Sequence, residues 1–559
     1  MVKNRSLNTI KYIIMAIHAV LTFLFSKIVY RNIGYIPSGT KPIKEIVSLN
    51  TEIIIAYIFS EIFALIIIFC LWTLVFHVIQ NFNKSYLIFV VLYLVGTIFL
   101  FILWPEVFTY RNMHMNDNLT TYASALRLTP DYWHSFYLSI VYAASMLVIP
   151  AKFSISLFQW STFMFALAYI YYKAKKHSPK LRYVIFTVFL FPNALEFITY
   201  SHRVCMYMSV VAIYIAIICF DMLEKRERKL IDYIWIAAFA AFISVWRSEG
   251  IIIGALTFLI YVIYGSRRNV KFIIGRLAIY GLFFVLISVP QKIGDAKYYG
   301  KDYTLMNSFD TLYYILNSDE ADFEYTGAND DLEAIDNVVP LQVIKEYSTE
   351  GYRSYNVNVR GNKDINQSMV GVESANKYID AYHNIIKHNI GLTAKVKINL
   401  ILKAFGFKPI YELQEYSGEH VWSSEWHYDG WDIGYAEYYS SNFITKWRNV
   451  PIKSRIAEKV FRVARNYYNF TFESGIYAFL IVCMIIANTY IAIRGLIGLI
   501  KKKQEHINVL GAIRLVNLMS FFAITIVMPA PAYFYFFPSF CVMTLVIYIY
   551  LIGRRSSIA

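Results

Sequence analysis

Twelve stretches of the chain are apolar enough to be read as crossings of a hydrocarbon core roughly 30 Å thick, which takes about 20 such residues each. They lie near 10–30, 52–79, 86–104, 153–172, 183–200, 204–221, 230–246, 250–265, 273–290, 472–495, 508–527 and 533–552. A segment in lipid must satisfy its own backbone groups, so runs of this kind become helices. Composition agrees: 57% of the 559 residues are hydrophobic and 16% charged, against about 25% charged in an ordinary soluble domain. A mean hydropathy of +0.45 over this length exceeds what one or two water-soluble cores can hide. Soluble enzyme, disordered scaffold and secreted disulfide module are excluded. The reading is an α-helical polytopic membrane protein of about 12 transmembrane helices.

The net charge of +15 serves first as a topology signal, because Lys and Arg collect in short cytoplasmic loops. Basic clusters at 171–182, 224–229, 265–271, 501–503 and 554–555 fall on one face if the spans alternate, and Lys3 and Arg5 join them. That face is predicted to be cytoplasmic, with both termini inside, so the charge needs no nucleic acid to explain it. Residues 135–149 form a further apolar run of only about 15 residues, which suits a re-entrant or interfacial helix better than a span. The N-terminus lacks a small-residue cleavage site and reads as a retained first helix. The spans read as nearly free of buried charge, which argues against a lipid or solute transporter.

Three parts follow: a transmembrane module over 1–290 with a first large external loop at 105–134, a mostly helical extracytoplasmic domain over 291–471, and C-terminal transmembrane helices over 472–559. The middle domain has an acidic part, from Asp319 to Asp336, and helical segments near 368–405. Cys70, Cys205, Cys219, Cys483 and Cys541 all lie in or beside apolar runs, so neither a disulfide framework nor a CxxC metal site is expected. The stretch Gly34 to Lys41 has nearly the spacing of a P-loop, but its last two residues are inverted and it precedes a transmembrane run; it is a turn.

Three external constellations could carry chemistry. The first loop holds Arg111, His114, Asp117, Asp131 and His134 beside the membrane surface. A carboxylate there can lose solvation and act as a general base toward a hydroxyl; equally, Asn116 and Asp117 can cap a helix beginning near Leu119. Two hairpin tips carry His202-Arg203 and Arg247-Ser248-Glu249-Gly250. Their guanidinium groups suit phosphate oxygens, or Arg247 and Glu249 form a structural ion pair. An aromatic–acidic stretch contains Trp422, Trp426, Asp429 and Trp431, a mixture that suits sugar rings and also occurs at membrane interfaces without a ligand.

The order of these features resembles the GT-C superfamily of polyprenyl-phosphate-dependent glycosyltransferases, in particular bacterial multi-span members acting on cell-envelope polysaccharide. The resemblance rests on Trp104-Pro105 ending a span, Asp117 in the following loop, Pro130-Asp131-Tyr132-Trp133-His134 closing it, Gln159 in the next span, the His202-Arg203 tip, Arg247-Ser248-Glu249-Gly250, and Pro340-Leu341-Gln342. Glu106 stands where the family pattern has glycine and Ser135 where it has proline, so Asp131 stays beside Asp117 as a candidate base. The resemblance implies a GT-C-like bundle in a bacterial plasma membrane with an extracytoplasmic site. There Asp117 would activate an acceptor hydroxyl, which displaces polyprenyl phosphate from a lipid-linked sugar with inversion. Arg203, Arg247 and His202 would hold the donor phosphate, with His114, His134 and Arg111 supporting the loop. Trp422, Trp426, Trp431 and Asp429 would form the platform for a glycan or lipid-linked acceptor. Metal use varies across the superfamily; no metal ligands are assigned, and a divalent cation is the one cofactor left open. The rival enzyme reading is a repeat-unit polymerase or ligase that relies on external arginines.

Overall fold

The computed structural model describes residues 2–30, 51–82, 84–109, 116–128, 135–151, 153–190, 203–226, 228–265, 269–294, 308, 311–345, 372–404, 407, 410, 459, 463, 466, 470, 474–501, 505–527 and 536–558. In chain order the helices are α1 (Val2–Val29), α2 (Thr51–Gln80), α3 (Lys84–Thr109), α4 (Asn116–Arg127), α5 (Phe136–Val148), α6 (Phe153–His177), α7 (Arg203–Leu223) and α8 (Leu230–Trp246). A π-helical turn (Ile252–Leu256) leads into α9 (Thr257–Gly265), then α10 (Val270–Gly294). The middle block supplies α11 (Ala328–Asp336), α12 (Leu341–Lys345), α13 (Val372–His388) and α14 (Ile390–Ala404). The chain ends with α15 (Ile476–Ile500), α16 (Glu505–Val527) and α17 (Phe537–Ile558). No strand occurs among the described residues.

Seven of these helices are long and apolar enough to cross a membrane: α1, α2, α6, α7, α10, α15 and α16. Shorter apolar helices occupy Tyr86–Ile98, Phe136–Val148, Leu230–Trp246 and Ile252–Gly265. The chain is thus a helical membrane protein, with full-length crossings at seven of the twelve predicted runs among the described residues. One run departs in kind. Where a helix over 183–200 is expected, Leu181–Leu190 forms a 3-10 helix, whose rise of about 2 Å per residue stretches it to roughly 20 Å. Central and peripheral helices separate clearly: 83% of the apolar window of α7 is buried against 6% in α10. Ile274, Leu282, Val285 and Leu286 of α10 face outward, as expected of a surface covered by lipid.

Side-chain contacts gather the basic segments at one end of the bundle. Lys173 of α6 meets Glu224 at 2.5 Å, Arg228 holds Asp221, the Tyr548 hydroxyl donates to the Leu181 carbonyl at 3.0 Å, and Arg276 lies 3.5 Å from the centre of the Tyr233 ring. Helices α3 and α6 run antiparallel. Tyr86 stacks on Tyr172 at 4.5 Å near the basic end, while Tyr93 stacks on Trp160 at 6.5 Å further along. The chain therefore enters and leaves the α4–α5 segment at the other end.

Helix α5 is only about 20 Å long at 1.5 Å per residue, and all 13 of its residues are buried. An interfacial position on the lipid surface is ruled out for it; it lies inside the protein. Because lipid is as apolar as a protein interior, burial alone does not hold such a helix, and close packing with hydrogen bonds must. Tyr137 donates its hydroxyl to the Ile287 carbonyl of α10 at 2.6 Å, one turn before Pro290, where the missing amide weakens the helical ladder. The far end meets the middle of α1. The Trp72 indole donates to His18 Nδ1 at 3.0 Å, so Nε2 carries the imidazole hydrogen and donates to the Val148 carbonyl at 2.9 Å. That carbonyl is in the last turn of α5, where no intrahelical partner remains. His18→Phe fills the space but leaves the part-buried Trp72 donor and the Val148 acceptor unpaired, a loss of up to about 1–3 kcal/mol for each. We expect a lower thermal midpoint for the detergent-solubilised full chain, and an unchanged midpoint would refute the relay.

The expectation that the spans carry almost no buried charge is corrected. Glu61 of α2, Asp221 of α7 and Arg514 of α16 are all buried. Glu61 accepts from the Thr22 hydroxyl at 3.0 Å, and Asp221 takes a bidentate contact from Arg228. Glu61 and Arg514 stand as lone charges inside apolar runs, and Asp221 closes one just before the 224–229 cluster. Buried charges of this kind are compatible with a transporter.

In the middle block, α11 packs on α13 and α14 contacts α16. Asn389 ties the acidic segment down: its amide donates to the Asp322 carbonyl at 3.0 Å and its oxygen accepts the Asp322 N–H at 2.7 Å. Tyr325 stacks flat on His388 at 3.9 Å and donates to Asp331 at 2.9 Å. Burial, with the Asp331 carboxylate beside it, pushes the Tyr325 phenol above its ordinary range.

Candidate functional site

The end of the bundle opposite the basic segments carries helix α4 and the second hairpin tip, each packed through α5 or its neighbouring rings. Helix α4 begins at Asn116, three residues earlier than the sequence suggests, so Asp117 falls inside its first turn. A helix N-terminus favours a carboxylate in its ionised form. The apolar face of α4, with Tyr122, Ala125 and Leu126 buried, packs on α5.

Entry into α5 is unusual. Ser135 has φ of 126° and ψ of 131°, and its side chain accepts the Tyr137 N–H at 3.3 Å. The next amide, of Phe136, is taken by Gln291 Oε1 at 2.7 Å. Proline, fixed near a φ of −65°, cannot occupy this position. A residue held at so sparsely populated an angle costs about 1–3 kcal/mol that its surroundings must offset.

From α5 a line of rings leads to the tip. Tyr137 meets Phe242 edge-on at 5.4 Å, Phe242 packs on Trp246 at 5.0 Å, and Trp246 meets Tyr207 at 5.8 Å. The Arg247 guanidinium lies 5.9 Å from the Tyr207 ring centre. Arg247 Nε contacts Glu249 Oε1, and Ser248 donates to Glu249 Oε2 at 3.1 Å. Glu249 is buried, so the tip is locally neutral, and an anion arriving at Arg247 must share or displace this carboxylate. Gly250 and Gly254 let the following segment close on α8: a Cβ at Gly250 would lie 2.1 Å from the Ile243 carbonyl oxygen, and one at Gly254 would lie 2.5 Å from that of Ala240. This small-xxx-small spacing is legible in the sequence. The π-helical turn is not, and its Gly254 carbonyl is met by the Tyr214 hydroxyl at 2.9 Å.

Of the residues assigned from sequence, only Arg247 has a described side chain. Asp117 and Arg203 are placed by backbone alone, in the first turns of α4 and α7, with their side chains outside the described residues. Arg111, His114, Asp131, His134, His202, Trp422, Trp426, Asp429 and Trp431 lie outside the described residues altogether. Among the described residues no three His, Cys, Asp or Glu side chains are gathered as a metal site would require. The chain matches no family model, no curated protein and no solved structure.

Proposed function

We propose that the protein is a membrane glycosyltransferase that moves a sugar from a polyprenyl-phosphate donor to a cell-envelope glycan or lipid-linked acceptor. The observation that carries the reading is that the buried half-length helix α5 packs both on the Asp117-bearing helix and, through Tyr137 and Phe242, on the helix that ends in the Arg247 tip. With the basic end in the cytoplasm of a bacterium, the site is extracytoplasmic, both termini are inside, and α5 is a re-entrant helix in a GT-C-like bundle. Asp117 takes the proton of an acceptor hydroxyl, whose oxygen attacks the anomeric carbon. The bond from that carbon to the phosphate oxygen breaks, its electrons leave with polyprenyl phosphate, and the configuration inverts. Arg203, Arg247 and His202 neutralise the leaving phosphate; Asp131 is the second base candidate. Trp422, Trp426, Trp431 and Asp429 receive the acceptor.

The test uses the full chain in its native membranes, supplied with undecaprenyl-phosphate-linked hexoses, with release of undecaprenyl phosphate as the readout. Asp117→Asn is expected to lower that release by about 10²–10⁴-fold, the usual contribution of a general base. Full activity in Asp117→Asn and Asp131→Asn alike sinks the mechanism. Silence in Arg247→Lys alone, with Asp117→Asn active and both proteins melting like wild type, points instead to an arginine-dependent polymerase or ligase.

A further inference from the structure

Arg514 is fully buried between α15, α16, α7 and α17, and no charged side chain among the described residues pairs with it. Its Nη1 donates to Asn488 Oδ1 at 3.1 Å, and Asn488 is itself fixed by donating to the Met484 carbonyl at 2.8 Å. The Tyr550 ring centre lies 5.5 Å from the guanidinium carbon. Among the described residues Nε and Nη2 have no hydrogen-bond partner, and neither does either amide atom of Asn517, a fully buried residue three positions along the same helix. Residues three apart share a helix face. No ion pair to Arg514 occurs among the described residues, and Asp221, the buried carboxylate of α7, is occupied by Arg228 and the Tyr261 hydroxyl.

An arginine cannot shed its proton to escape this position. A buried cation without a counter-charge is costly, and inside a membrane an ionisable group of this kind marks a binding or transport site by default. The two unpartnered nitrogens are informative because Nε and Nη2 form one edge of the guanidinium, the fork that receives two oxygens of one anion. Asn517 adds a third donor together with an unmet acceptor. The complementary ligand therefore presents at least three oxygens and a hydroxyl.

We infer that Arg514 and Asn517 form a buried site for a hydroxyl-bearing phosphate, either hydrogen phosphate or the headgroup of a phospholipid such as phosphatidylglycerol. The approach from the basic end is cationic: Lys501 and Arg555 are exposed there, and Arg554 reaches the same Tyr550 ring at 6.0 Å. Such a surface raises the local concentration of anions. The site is separate from the Arg247 tip and does not rest on the glycosyl-transfer reading.

The experiment takes the delipidated full chain in a neutral detergent and adds inorganic phosphate, dioleoylphosphatidylglycerol or, as control, dioleoylphosphatidylcholine. Thermal midpoint and native mass spectrometry are read for wild type, Arg514→Met and Asn517→Leu. One equivalent of phosphate or of phosphatidylglycerol is expected to bind wild type and raise its midpoint, and the probe that does so identifies the source. Binding should be absent in Arg514→Met and at least tenfold weaker in Asn517→Leu. Equal binding by wild type and Arg514→Met, or no binding of either anion to wild type, overturns the site. If Arg514→Met does not fold, unaltered affinity in Asn517→Leu overturns it.

Discussion

Asp221→Ala is expected to destabilise the basic end of the bundle by about 3–5 kcal/mol, the usual cost of removing one partner from a buried ion pair. The Asp221 side chain is 1% exposed and that of Arg228 is 13% exposed, so water cannot take over the abandoned charge. Arg228 approaches with two nitrogens, Nε to Oδ2 and Nη2 to Oδ1 at 2.8 Å, and the Tyr261 hydroxyl adds a third bond to the carboxylate at 3.2 Å. Alanine strands a guanidinium and a phenol together. Asp232, 4.0 Å from Arg228, is too far and too exposed to replace the lost partner. A large fall in the thermal midpoint of the full chain is predicted. The double variant Asp221→Leu with Arg228→Met should recover most of it, because the penalty belongs to the unpaired charge rather than to the missing attraction. A single variant that melts with wild type would show that the pair is solvated after all.

Gly511→Val is the second substitution from which a severe effect is expected. At this point α15 and α16 touch through their backbones: a Cβ on Gly511 would sit 2.6 Å from Gly495 Cα and 3.1 Å from the Ile491 carbonyl oxygen. No flexible side chain is available to yield, so the helices themselves must part. The cost should exceed the 1–3 kcal/mol or so of ordinary overpacking. Separation also pulls Asn488 from Arg514, one turn further along, where their bond is 3.1 Å. We expect loss of the folded protein on extraction, or a sharply lowered midpoint. Gly281→Ala is the control, since a Cβ there meets nothing within 4 Å. It should be neutral or stabilising by up to about 1 kcal/mol, as glycine is a poor helix former. Equal behaviour of the two variants would contradict the close approach.

Much of the site's geometry could not be anticipated from residue order. The Arg247–Glu249 pair was one of two readings open in the sequence, because a guanidinium beside a carboxylate two residues away can equally bind a ligand. The Ser135 backbone angle, the π-helical turn after Gly250 and the ring path from Tyr137 to Arg247 have no local signature. Arg514 did have one: a single arginine within an apolar run of some 20 residues. What the sequence leaves open there is whether the residue is answered by a partner from another helix, and that depends on Asn488 and Tyr550 reaching it from α15 and α17.

Residue order alone established the class of the molecule, since apolar runs of this length permit only helices in a membrane. It also located the segments that became α1, α2, α6, α7, α10, α15 and α16, and grouped the basic clusters that contacts bring to one end. It could not tell that α5 would be wholly enclosed while α10, also largely apolar, would face outward. The reason is physical. In water an amphipathic stripe announces which face of a helix is buried, but lipid and protein interior are alike in polarity, so an apolar helix carries no such stripe. Its place is set by shape and by a few polar bonds, such as Gly495 against Gly511, His18 on Val148 and Tyr137 on Ile287, and these exist only once the helices have met.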